Sequence, residues 1–120
     1  MNAIDNMKKS AISMLQMHMD DVCGKMAASM KQRLSDGGHI DTGNLYNSIN
    51  HKTEADDKQI TSYITIDAVS DKGTWYAEFL EYGTVKMEAD PFIRPSIAEH
   101  LGELEQGIEH IYGELKRYGK

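Results

Sequence analysis

Cysteine is nearly absent from this 120-residue chain: Cys23 stands alone, so neither an intrachain disulfide nor a cysteine-based zinc site can form. Its neighbours Val22, Gly24 and Met26 are those of a helix interior, which predicts a buried, unreactive thiol. Prolines number two, Pro91 and Pro95, both inside one short stretch. No apolar run approaches the roughly 20 residues of a membrane span, and the N-terminus lacks the apolar block of a signal peptide. The expectation is a chain made in a cytoplasm, dissolved there, with no membrane partner. Basic residues are also scarce, 13 against 19 acids, for a formal charge of −6. Autonomous nucleic-acid binders need a cationic face for phosphate contacts, and no basic run here is longer than Lys8-Lys9.

Catalytic and metal motifs are missing too. Helical metal ligands need spacings of three or four residues to face one ion, whereas His100 and His110 are ten apart. A di-iron site needs glutamate three residues before histidine; Ile97 and Gly107 occupy those places. His39, Asp41 and His51 would meet only if the fold brought them together. Gly37-Gly38 is not followed by Lys-Ser/Thr, so no phosphate-cradling loop is present. Glu78, Glu81 and Asp90 lie near aromatics, and a pair of carboxylates can do acid–base work. The simpler expectation is solvated acids, one of which partners Arg94. The reading is therefore no catalytic residue, no cofactor and no metal.

What the chain does have is pattern. Ile4, Met7, Ala11, Met14/Leu15, Val22, Met26, Met30 and Leu34 recur at helical spacing, predicting a long helix from about Ala3 to Leu34. Seven of the eight methionines fall in the first 30 residues of the chain, giving an adaptable core face or a surface that repacks on a partner. Gly24 inside it predicts a bend or a close helix crossing. Ser35-Asp36-Gly37-Gly38 is a stop signal. Leu45, Asn47, Ile49 and His51 alternate, as do Ile60, Ser62, Ile64, Ile66 and Ala68. With the polar turn Glu54 to Lys58 between them, they predict an antiparallel hairpin. Val69 to Thr74 reads as a loop. Trp75 to Tyr82 reads as a short helix closed by Gly83, with a strand as the competing assignment. After Pro95, Ile97, Leu101, Leu104, Ile108, Ile111, Leu115 and Tyr118 step by four and three, an unbroken stripe on a second long helix. It is expected to pack on the sheet or the first helix, with self-association as the alternative, and Glu99, Glu103, Glu105, Glu109 and Glu114 on the wet side. The whole predicts one α+β domain, residues 1–120: a long N-terminal helix, a small antiparallel β-sheet with a short helix, and a long C-terminal helix.

Two segments stand apart. Asp41 to Ile49 is a corner: Asp41 or Thr42 can bond backbone donors, and Gly43 permits a positive φ. Tyr76 to Pro95 packs aromatics, a glycine corner and an arginine between prolines. Arg94 is restrained there and needs an acid partner, with Glu78 and Glu81 as candidates. Three motifs emerge in order. These are Thr42-Gly43-x-Leu45-x-x-Ser48-Ile49, Tyr76-Ala77-x-Phe79-x-Glu81-Tyr82-Gly83-Thr84, and Pro91-Phe92-Ile93-Arg94-Pro95. Together they resemble the tail-completion or minor tail-component family of long-tailed bacteriophages. The resemblance covers residues 42 to 95. The family often has a basic residue after Leu45, where this chain has Tyr46, and alanine after the second proline, where it has Ser96.

The resemblance implies a non-enzymatic structural subunit of the phage neck, which joins head connector to tail tube. The implied partners are copies of itself in a ring, commonly hexameric, together with connector or stopper and tail-tube or tail-terminator proteins. DNA would be passing cargo only. The implied location is the virion, after assembly in the bacterial cytoplasm, and the residues named in the motifs would be structural or interface residues. Two other classes remain open from sequence: an assembly chaperone or adaptor absent from the finished particle, and a small hydrolase using Glu78 or Glu81.

Overall fold

A computed structural model of the chain describes residues 3–37, 44–56, 58–66, 81–83 and 88–118. Its elements are helix α1 (Ala3–Asp36), a single helical turn α2 (Asn44–Asn47), strands β1 (Ile49–Ala55) and β2 (Ile60–Ile66), and helix α3 (Ile93–Tyr118). Two long helices and a two-stranded antiparallel sheet make an α+β fold. Of the expected short helix Trp75 to Tyr82, Glu81 and Tyr82 are helical, while residues 75–80, the loop from Val69 to Thr74 and Ala68 lie outside the described residues.

Helix α1 runs on through Ser35 and Asp36, and Gly37 N–H closes its last turn on the Arg33 carbonyl at 3.0 Å. Its buried residues all lie in its second half: Val22, Cys23, Met26, Ala27, Met30 and Leu34. Gly24 marks a close approach to the hairpin, not to another helix. A Cβ there would lie 3.2 Å from the His51 ring. Cys23 is buried, as its surroundings predicted, and its thiol donates to the Tyr63 carbonyl at 3.6 Å. Burial, followed by the charge of Asp20, pushes that thiol's pKa up, which disfavours the reactive thiolate.

The hairpin pairs Ile49 with Ile66, His51 with Ile64 and Thr53 with Ser62 on the face turned to α1. On that face Thr53 Oγ donates to Asp20 at 3.0 Å and lies 2.8 Å from Ser62 Oγ. The turn is shorter than its composition suggested. Glu54 and Ala55 belong to β1, paired with Thr61 and Ile60, while Gln59 falls in the turn. Asp56 explains why: its carboxylate accepts from the Lys58 and Gln59 N–H groups at 2.7 and 2.8 Å, an Asx-type closure. Those bonds hold its carboxyl below the ordinary value. At the other end, Leu45 and Asn47 are not in a strand but in α2. Two alternating residues are too few to specify a strand. The helical turn brings Tyr46 under Lys31 of α1, whose Nζ sits 5.3 Å from the ring centroid.

The core lies at one end of the molecule, where Ala27, Met30, Leu34, Ile49 and Phe92 pack together with Ile64, Ile66 and Ile93 against them. From there α3 returns antiparallel along α1. Arg33 meets Glu99 at 3.2 Å, Ser29 meets His100 at 2.8 Å, Lys25 pairs with Glu103, and His18 Nε2 lies 3.2 Å from the Leu104 carbonyl. Glu99 and Glu103 are thus turned to α1 and not to water alone. This contact line runs beside the apolar stripe of α3, not along it. The stripe is only partly covered: Ile97, Leu101 and Ile108 are exposed, while Ile111 is buried.

The glycines of α3 separate by this geometry. Gly102 and Gly113 have open space where a Cβ would go, but a Cβ on Gly107 would lie 2.0 Å from His18 Nε2. Gly102→Ala and Gly113→Ala should each raise stability by about 0.5–1 kcal/mol in urea titrations. Gly107→Ala should bring no gain, because His18 must leave the Leu104 carbonyl to admit the methyl group.

Candidate functional site

The described parts of the second and third motifs come together in one clasp. Phe92, Ile93 and Arg94 open α3, and the first N–H groups of any helix lack partners within it. Glu81 supplies them. Its Oε1 accepts from Phe92 N at 2.9 Å and Ile93 N at 2.8 Å. Its Oε2 accepts from Arg94 N at 3.0 Å and Arg94 Nε at 2.7 Å. Arg94 Nη2 also donates to the Glu81 backbone carbonyl at 2.7 Å. A carboxylate at this end of a helix is further favoured by the macrodipole.

The acid partner that Arg94 required is therefore Glu81. Glu81 is 2% exposed, and Arg94 is 59% exposed with its guanidinium 4.8 Å above the Tyr82 ring. Burial pushes the Glu81 carboxyl up. The bonds from Ile93 N–H, Arg94 N–H, the Arg94 side chain and Phe92 N–H outweigh burial and hold it below the ordinary value. Gly83 follows at φ 77°, a left-handed conformation that favours glycine. It directly follows Glu81 and Tyr82, where the backbone is helical.

This arrangement corrects the expected helix start. Proline disfavours helical geometry in the residue before it, yet Ile93 and Arg94 are already helical. The Glu81 carboxylate satisfies their N–H groups and Pro95 has none to satisfy, so the first turn forms ahead of the proline.

The clasp also defines what the site can do. A carboxylate that is buried, ionised and saturated with donors is unsuited to abstracting a proton. Its geometry is that of a structural anchor. Among the described residues no group of three or more His, Cys, Asp or Glu side chains could hold a metal ion. Asp20 and His51 approach to 3.4 Å without a third ligand type beside them.

Ser96, beside the clasp, is fully buried. Its hydroxyl has no hydrogen-bond partner among the described residues. A buried hydroxyl without a partner costs about 1–3 kcal/mol. Ser96→Ala should therefore raise the midpoint of thermal unfolding or leave it unchanged. A clear fall would show that the hydroxyl is bonded.

Of the residues named from sequence, Glu81, Phe92 and Arg94 are brought together, with Gly83, Pro91 and Pro95 flanking them. Phe92 is 1% exposed and reaches into the core beside Leu34 and Ile49. Leu45 lies apart, in α2. Thr42, Gly43, Tyr76, Phe79 and Thr84 lie outside the described residues, as do Glu78, His39 and Asp41. Sequence reasoning missed the polar row of Arg33, Lys25, His100 and Glu103 between the helices. Its signal was present in the opposite charges, but not in any motif.

A groove of about 410 Å³ opens between α1, β2 and α3, with Val22, Met26, Ile64, Leu101 and Leu104 among its walls. Comparison with family models, curated proteins and solved structures finds no match to this chain. No described helix is long and apolar enough to cross a membrane.

Proposed function

We propose that this chain is a structural subunit of a tailed-phage neck, joining the head connector to the tail tube, and that it carries out no catalysis. The observation that supports the reading most is the Glu81–Arg94 clasp. Two of the three motifs that resemble the tail-completion family meet in one buried, fully bonded anchor. Such an anchor fixes a segment's shape, which is what a docking element needs. In this reading the partners are further copies of the chain in a ring, with the hexamer favoured, and the connector and tail-tube proteins on either side. DNA passes through without being bound, and the chain resides in the virion.

The test is mass spectrometry of purified particles from a phage carrying this gene, with electron microscopy of particles made without it. Several copies per virion, and separated heads and tails in the deletion, are expected. A chain needed for assembly but missing from the virion would replace the reading with that of an assembly chaperone.

A further inference from the structure

The molecule is more open than a compact chain of its length. It spans 60 × 23 × 20 Å with a radius of gyration of 18.3 Å, against about 14 Å for a compact chain of this length. Its accessible surface is 8350 Å² for 13.5 kDa. A compact monomer of that mass exposes about 6,500 Å². The excess is on the order of what a standard protein–protein interface removes.

Two of the exposed surfaces fit one another. On α1, Ile4, Lys8 and Ile12 follow at intervals of four and share a face, with Ile12 46% exposed and Lys9 beside them. On α3, Leu101, Glu105, Ile108 and Tyr112 share another, with Leu101 43% exposed and Glu109 at its edge. Each is apolar. One carries two lysines and the other two glutamates, and none of the four charges has a partner among the described residues. Neighbouring charges differ in this respect: Lys25, Arg33, Glu99 and Glu103 are all paired between the helices. Lys116 lies over Tyr112, 5.7 Å from its ring centroid, and marks the end of the acidic stretch.

We propose that these two faces bind each other between copies of this chain, the Lys8–Lys9 face of one copy docking on the Glu105–Glu109 face of the next. Different surfaces meet, so the contact is heterologous. Repetition closes a ring when the rotation between copies allows it. The apolar residues supply the burial, and the opposite charges set register and direction. The proposal rests on the reading of the chain as an assembly subunit, and it adds the surfaces that would join the copies.

Light scattering coupled to size exclusion tests it on the full chain at low and high salt. The wild type is expected to associate as concentration rises, and more weakly at high salt. Lys8→Glu/Lys9→Glu and Glu105→Lys/Glu109→Lys should each associate at least about tenfold more weakly. Mixing the two variants should restore association, because each then offers the other a complementary face. All four positions are exposed, and circular dichroism checks that the helices persist. If a reversal unfolds the chain, Lys8→Gln/Lys9→Gln and Glu105→Gln/Glu109→Gln remove the charges without reversing them and should also weaken association. A wild type that stays monomeric at every concentration overturns the proposal. So do variants that associate as before, or a mixture that stays apart. Copies found in purified particles alongside any of those results would leave the neck reading standing and remove only this contact.

Discussion

Glu81→Ala is expected to destabilise the fold by about 3–5 kcal/mol, because each buried donor left without an acceptor costs about 1–3 kcal/mol. The reason is the number of groups that depend on one side chain. Three backbone N–H donors at the start of α3 and the guanidinium of Arg94 all point at the Glu81 carboxylate. Alanine leaves them without acceptors. The reverse change is milder. Arg94→Ala keeps the three backbone bonds and removes a mostly exposed group, so about 1–2 kcal/mol is expected. Urea titrations of both variants check the order, and equal losses would mean that the ion pair, not the backbone capping, carries the effect.

Acid should reveal the same carboxylate. Its folded pKa lies below the ordinary value of 4.5, so the unfolded chain takes up the proton first as pH falls. The stabilisation is fully present above 4.5 and is lost as pH drops through the lower folded value. As pH falls below the ordinary value, the wild type should lose more stability than Glu81→Gln, which has no such proton to bind.

Phe92→Ala should cost a comparable amount, about 3–5 kcal/mol. Phe92 is the largest fully buried side chain among the described residues and meets Leu34 of α1 and Ile49 of β1. Its removal opens a cavity at the junction of the two helices and the hairpin. The thermal midpoint should drop by more than about 10 °C. A small drop would mean that neighbouring methionines, Met30 above all, flow into the space. Phe92 also donates its N–H to Glu81, a bond that alanine keeps. Because the two residues touch, Glu81→Ala/Phe92→Ala should show coupling in a double-mutant cycle.

Much of this architecture was legible in the residues. Both long helices and the hairpin follow from periodicity and turn composition, and the chemistry of a restrained guanidinium narrowed the acid partner of Arg94 to Glu78 or Glu81. The failures have physical causes. Leu45 and Asn47 read as strand because period-two alternation over so short a stretch matches a helical turn equally well. Helix α3 starts ahead of its proline because a side chain 11 residues earlier in the chain supplies its acceptors, and no local rule sees that far. The apolar stripe of α3 named a face but not its direction. His18 meets the Leu104 carbonyl beside Gly107, a contact that neither pattern records.

The one-ended core has a consequence for how the molecule opens. Residues 22–34 are gripped by the hairpin and by Phe92, whereas residues before Met19 on α1 contribute no fully buried side chain. In an isolated chain the far third of the helix pair therefore unzips at little energetic cost, long before the gripped end gives way. Amide protons near Ile4 to Ile12 should exchange with solvent orders of magnitude faster than those near Met26 to Leu34. The chain behaves as a fixed grip with a springy tip.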